Sequence, residues 1–219
     1  MAEPRRNPYI WAKWLTGILA AENHCEWSLW FRAHYKYDKI EAEGEEAFDL
    51  AAWNAQHGAM VRDKFATLKA AGYVVYVENQ NKFFLDGKSA TLSGVPDIVA
   101  VKDGEALVVD CKTGKQRQSH ILQVLVYMYV LPIVHQACKG KTMTGLVQYT
   151  DSEVPIAATD LTDGMRKLIR TTIERAGGTE PTPKVPSLGE CRWCDITKED
   201  CPERVEPGAG ATPVAHDLF

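Results

Sequence analysis

The sequence predicts an α/β fold, and three observations carry that expectation. Apolar residues recur at helical spacing over 9–37 and 48–71, at strand spacing through much of 73–111, and at helical spacing again over 119–131 and 161–176. The 219 residues, 45% hydrophobic and 25% charged, suffice for one substantial core with attached segments and exclude global disorder. No apolar run approaches the roughly 18 residues that a bilayer span requires. The start Met-Ala-Glu-Pro-Arg-Arg has no apolar signal core behind it, so a cytoplasmic protein with no membrane partner is expected. With a net charge of −4, any affinity for nucleic acid must come from a local basic groove or a bound cation.

Residues 9–37 read as helical, with Trp11, Trp14, Leu15 and Ile18 at helical spacing. Glu41, Glu43, Glu45, Glu46 and Asp49 then form a solvated loop or helix start. A helix over 48–71 puts Leu50, Trp53, His57, Met60, Val61, Phe65 and Leu68 on one face and stops at Gly72. Strands over 73–78 and 83–85 flank the polar turn Asn79-Gln80-Asn81, and strands over 95–101 and 106–111 flank Lys102-Asp103-Gly104-Glu105. The helix over 119–131 halts near Pro132. A strand over 144–149 and a helix over 161–176 follow, then Pro181, Pro183 and Pro186, a cysteine-rich segment and a Gly/Ala/Pro-rich tail. The expected organisation is an N-terminal helical segment over 1–47, a core over 48–178, a cysteine segment over 179–205 and a flexible tail over 206–219.

The most informative local feature is a hairpin register. Asp103-Gly104 is a favoured two-residue turn. That turn sets Val101 opposite Ala106, Val99 opposite Val108, and Asp97 opposite Asp110. Two acids then share one face with Cβ atoms about 4.5–5.5 Å apart, and Lys112 points to the same face. At an effective dielectric near 20 the two carboxylates repel by roughly 3 kcal/mol. A shared proton or a divalent cation would offset this, and magnesium suits a pair of carboxylates completed by water and phosphate. The plainer alternative is Asp97 in a turn after Pro96, with Asp110 paired to Lys112 at a strand end.

Gly94-Val95-Pro96-Asp97, then Asp110-Cys111-Lys112-Thr113-Gly114, then Gln123 and Tyr127, stand in this order along the chain. The set resembles the PD-(D/E)XK nuclease superfamily in its RecB-like exonuclease branch, with its Gly-x-x-Asp, acid-x-Lys and Gln-x-x-x-Tyr elements. The resemblance implies a restriction-endonuclease-like core, a central mixed sheet flanked by helices. It further implies that Asp97 and Asp110 bind magnesium or manganese and that Lys112 assists the nucleophilic water. His57 matches the branch's upstream helical histidine, a further metal ligand, although its apolar helix face also suits a core histidine. Gln123 and Tyr127, one helical turn apart, face the active site or DNA backbone on the same resemblance; the polar edge of a packed helix is the other reading. Two residues depart from the branch: Cys111 stands where an aromatic is usual, and Pro96 where a β-branched residue is.

Six cysteines in a chain without an export signal point to metal chemistry or burial rather than disulfides. Cys191, Cys194 and Cys201 crowd one short segment and need a distant fourth ligand to complete a four-thiolate site. The resemblance supplies one. A subgroup of RecB-like nucleases, including the CRISPR-associated exonuclease used in spacer acquisition, has one cysteine before the core and three after it, holding a [4Fe–4S] cluster. Cys25, followed by aromatics, fits the first position, and the cluster would clip a helical cap to the C-terminal segment. Spacing does not separate this from a structural zinc. Cys111 is expected to point away from Asp110 and Lys112 into the core, and Cys138 to be a buried thiol.

The function so implied is metal-dependent hydrolysis of DNA, exonucleolytic on single strands or frayed ends, in CRISPR adaptation, phage recombination or repair. CRISPR integrase proteins are implied partners. The rival is a non-catalytic DNA-binding or assembly factor that keeps the fold, whose mark would be a missing acid or lysine. Trp27, Trp30 and Tyr35 beside Arg32 and Lys36 suggest either a stacking wall for DNA or ordinary helix packing. The terminal Asp217-Leu218-Phe219 resembles the end of a sliding-clamp docking peptide, without its leading Gln.

Overall fold

The computed structural model describes residues 2–40 and 49–206. The acidic residues Glu41 to Glu46 and the clamp-like ending Asp217-Leu218-Phe219 lie outside them. In chain order, β1 (Glu3–Pro4), β2 (Tyr9–Trp11), α1 (Ala12–Leu19), α2 (Glu26–His34) and β3 (Tyr35–Lys36) precede α3 (Leu50–Ala70). Next come β4 (Val74–Val77), β5 (Phe83–Asp86), β6 (Thr91–Gly94), β7 (Ile98–Lys102) and β8 (Glu105–Lys112). The chain continues through α4 (Gln118–Val134), β9 (Thr142–Tyr149), β10 (Glu153–Ile156), α5 (Asp163–Gly177) and α6 (Leu188–Arg192).

A five-stranded sheet, ordered β10-β9-β8-β7-β4, forms the centre. It is mixed, because β8 and β9 run parallel while the other neighbours are antiparallel. The parallel pair needs a crossover, and α4 provides it. Alternation along the strands then builds two cores. Val99, Val101, Ala106, Val108 and Val147 pack toward α4, whereas Ile98, Ala100, Val109, Cys111 and Leu146 pack toward Val61 and Leu68 of α3. The contact between α4 and β9 is tight: a Cβ on Gly145 would stand 2.3 Å from Val124 Cγ1 and 2.9 Å from Met128 Sδ. Smaller sheets β2-β6-β5 and β1-β3 complete the fold. Among the described residues no helix is long and apolar enough to cross a membrane.

Several expectations need correction. The stretch 9–37 is a strand, two helices and a second short strand. Tyr9 to Trp11 pair in parallel with β6, and α1 ends where Ala21 takes φ +53. The next residues are held elsewhere: the Glu22 carboxylate accepts the Ser119 amide at 3.0 Å, and Glu190 accepts the amides of His24 and Cys25 at 2.9 and 3.3 Å. The strands β4 and β5 do not pair across Asn79-Gln80-Asn81. Glu78 takes φ +46, and the buried Asn81 amide donates to the carbonyls of Tyr76 and Pro96 at 3.0 and 3.1 Å. The chain is thereby turned into the other sheet, where β5 pairs with β6. Finally, α4 passes Pro132 and ends at Val134, since proline in a last turn forfeits little more than its own hydrogen bond.

Candidate active site

The β7–β8 hairpin has the expected register, with Val101 opposite Ala106, Val99 opposite Val108 and Ile98 opposite Val109. Asp103 sits in the turn at φ +49. Asp97 is the residue before β7, one step beyond the Ile98–Val109 pair, and Asp110 lies near the end of β8. Asp110 and Lys112 alternate with Cys111, so they face α4 while the thiol enters the α3-side core at 2% exposure. The Gly94 backbone leads to Asp97 so close to two rings that a Cβ would lie 2.9 Å from Phe83 and 3.0 Å from Tyr127. A side chain at that position would displace one of them.

His57, Asp97, Asp110, Lys112, Gln123 and Tyr127 form one linked constellation. Lys112 Nζ lies 2.7 Å from Asp110 Oδ2 and donates to Gln123 Oε1 at 3.1 Å. Gln123 Nε2 donates to Asp110 Oδ1 and contacts the Tyr127 hydroxyl, both at 3.0 Å. Gln123 thus spans the lysine and the acid with the two ends of one amide. On the other side, α3 brings His57 Nε2 to 3.3 Å from Asp97 Oδ2, which also accepts the Cys111 amide at 2.7 Å. These contacts bring the six side chains together, and they suit a hydrogen-bonded core histidine and a packed polar helix edge as well as a catalytic set.

The electrostatics are those of a crowded, partly dry site. Asp110 is 2% exposed, and burial raises its pKa, with Asp97 adding to the rise and Lys112 opposing it. His57 is raised, chiefly by its hydrogen bond to Asp97. Burial pushes the Cys111 thiol up to about 12 and raises the Tyr127 hydroxyl, so neither ionises near neutral pH. Asp110 Oδ2 is buried and lacks a partner of hydrogen-bond geometry, despite its close ion contact with Lys112. Such an oxygen suits a divalent cation. Among the described residues, no three His, Cys, Asp or Glu side chains are gathered tightly enough to hold a metal ion as they stand.

The PD-(D/E)XK nuclease superfamily model matches residues 15–199. The chain belongs to the PD-(D/E)XK nuclease superfamily. Among solved structures it is similar to SSO0001, at 14% identity over 93% of this chain and 91% of that one, with a TM-score of 0.45. No curated protein matches it.

In this PD-(D/E)XK chain, Cys25, Cys191, Cys194 and Cys201 line a single cavity with Arg32, Ile196 and Arg204, and all four are free thiols. Cys25 Sγ accepts the Val185 amide at 3.5 Å and Cys191 Sγ the Val205 amide at 3.4 Å. Burial raises the Cys194 and Cys201 thiols. The N- and C-terminal segments meet here through protein contacts. Arg32 pairs with Asp195 at 2.8 Å, the Trp27 amide donates to Pro183 O at 3.1 Å, and the Ile40 amide to Asp195 O at 3.0 Å.

Of the two readings of the aromatic segment, ordinary helix packing holds. Trp27 and Trp30 are each only 7% exposed, Trp27 stacks on Phe31 at 4.9 Å, and Arg32 is engaged with Asp195, so these side chains serve packing. The sequence reading also missed residues close to the site. His120 Nδ1 lies 3.0 Å from the Tyr149 hydroxyl. Tyr149 was legible as the β9 neighbour of Lys112 once the parallel pairing is known.

Proposed function

We propose that this PD-(D/E)XK nuclease is a divalent-metal-dependent DNA exonuclease of the RecB-like branch, acting on single strands or frayed ends. The observation that carries the reading is the Gln123 amide joining Lys112 to Asp110 beside Asp97. Asp97 and Asp110 are the residues that would hold magnesium or manganese, with His57 as a third ligand. Bound there, the cation would supply Lewis-acid stabilisation of charge on the phosphate. The chain's own groups do the rest. Lys112 presents an ammonium where it orients water and stabilises negative charge, and Gln123 fixes that ammonium against the acid. Tyr127 fixes Gln123 in turn. The presence of both acids and the lysine, with Lys112 in contact with Asp110, favours turnover over the non-catalytic binding factor.

The [4Fe–4S] assignment within this proposal rests on four cysteines lining one cavity, where among the described residues no three of them stand close enough together to hold a metal without moving. Two sulfurs already accept backbone amides, and Arg204 lies at the cavity wall to balance negative charge. The cluster would reinforce the clip between α2 and the C-terminal segment, closing a long loop. CRISPR adaptation, phage recombination and repair all need such end processing, and the neighbouring genes separate them.

Two measurements test the proposal. End-labelled linear DNA and the same DNA closed into a circle are incubated with magnesium or with chelator. Metal-dependent loss of the linear strand with an intact circle is expected, and cleavage of the circle overturns the exonuclease assignment. Protein purified anaerobically with iron supplied should carry about four irons and matching sulfide. Zinc in place of iron, with full activity, overturns the cluster.

A further inference from the structure

Trp53 is a large apolar side chain on a part of α3 that closes no core. Residues 49–56 are all exposed, and the apolar cluster beneath the helix begins at Met60 and Val61. Local contacts nevertheless order these first turns. The Asp49 carboxylate caps the helix by accepting the Ala52 amide at 2.8 Å, and the Trp53 amide donates to Asp49 O at 2.9 Å. Gln56 Nε2 donates to Thr150 Oγ1 at 3.4 Å, which ties the same turns to the end of β9.

Trp53, Phe84 and Trp193 are the exposed aromatic residues among those described. Phe84 and Trp193 each have a cation over the ring, Lys82 and Arg192, both at 5.2 Å. Trp53 differs from them in being joined to the candidate site. Its ring lies 5.1 Å from that of His57, one helical turn on, with 13° between the planes. His57 Nε2 in turn lies 3.3 Å from Asp97 Oδ2. The two stacked rings thus lead outward from the acid, and Trp53 at their outer end stays 37% exposed. A ring already held by its neighbour loses little freedom when a further planar group packs on it. Every nucleobase has such a planar face, and stacking on an aromatic side chain is how proteins grip unpaired strands without reading their sequence.

We propose that Trp53 is the stacking platform for an unpaired nucleobase of the strand whose phosphate lies at Asp97, so that the site engages ends that have lost their pairing. This rests on the nuclease reading and adds to it the side chain that selects single strands over duplex. A paired base has both faces covered by its neighbours in the helix and presents none to the indole. The platform also explains why a tryptophan stands on turns of α3 that bury nothing else.

The test is equilibrium binding, in chelator, of a fluorescent single-stranded oligodeoxynucleotide and of an abasic strand of the same length, which keeps the phosphates and lacks the bases. Parent protein is compared with Trp53→Leu and Trp53→Phe, with thermal unfolding confirming each fold. Loss of one base–aromatic stack should weaken binding of the base-bearing strand by about fivefold or more in Trp53→Leu. The abasic strand should bind that variant as it binds the parent, and the slope of log K against log salt should not change, since no phosphate contact is lost. Trp53→Phe, which keeps a ring, should recover most of the affinity. Parent-level binding of the base-bearing strand by Trp53→Leu overturns the platform. So does an equal loss on both strands, which leaves Trp53 as packing for His57. Equal binding of the two strands by the parent overturns it without any variant. Magnesium-dependent cleavage by the parent separates the two claims. A base-dependent loss in Trp53→Leu, beside a parent that cuts nothing, keeps the platform and ends the nuclease reading. A parent that cuts while Trp53→Leu binds normally does the reverse.

Discussion

The Asp97 carboxylate accepts a 2.7 Å hydrogen bond from the Cys111 backbone amide. One acid is thereby tied to the strand that carries the other, one residue past Asp110. The distance between the two carboxylates is inherited from the ladder of β7 and β8, which is a stiffer support than a loop. The cysteine contributes its amide to this arrangement while its thiol faces the opposite core.

Cys111→Ser should therefore leave DNA hydrolysis within about twofold of the parent while lowering stability. A hydroxyl in that apolar core, without a partner, costs about 1–3 kcal/mol. Urea denaturation and initial rates on labelled DNA check the two halves, and a large loss of rate in a folded variant contradicts the separation.

Gln123→Leu removes both ends of the amide that joins Lys112 to Asp110. Side chains that orient ligands or charges at such sites are worth roughly 10–100-fold. Steady-state kinetics should record that loss chiefly in kcat, with DNA affinity little changed.

The hairpin that builds the site was legible because its signals are local. Asp103-Gly104 sets the turn, alternation sets the faces, and together they place Asp110 opposite Asp97 with Lys112 on the same face. The helix carrying His57 and the helix carrying Gln123 and Tyr127 were legible from periodicity for the same reason. What the sequence concealed depends on distant pairing. Tyr9 to Trp11 become a strand only because β6 lies beside them, and Val74 to Val77 leave their neighbour β5 because Asn81 is anchored to Tyr76 and Pro96. The amphipathic pattern around Trp27 and Trp30 carries no sign of which partner covers it. The C-terminal segment with Ile196 covers it here.

Gly145→Ala tests the seat of α4 on β9. Its Cβ would fall 2.3 Å from Val124 Cγ1, and over-packing of this kind costs about 1–3 kcal/mol. Because α4 also carries Gln123, a loss of activity should accompany the lower urea midpoint.

His120 gives a pH signature. Burial, with Lys112 and Arg117 adding to it, lowers its pKa from 6.5 to about 4. Between these values the unfolded chain holds a proton that the folded chain does not, so stability rises with pH through the window. The contribution is complete above about 6.5 and lost as pH falls toward 4. Asp110, raised by burial, acts in the opposite sense and is common to both proteins compared. His120→Asn should flatten the fall in urea stability between pH 7 and pH 5, and an unchanged pH profile contradicts the assignment.

The central claim is that Asp110 and Lys112 perform metal-dependent chemistry on bound DNA. The most direct measurement is single-turnover degradation of labelled single-stranded DNA in magnesium by the parent, Asp110→Asn and Lys112→Ala, with DNA binding measured alongside in chelator. The account predicts a parent rate abolished by chelator, at least a hundredfold loss in each variant, and binding retained in Asp110→Asn. Degradation by either variant at the parent rate would contradict it.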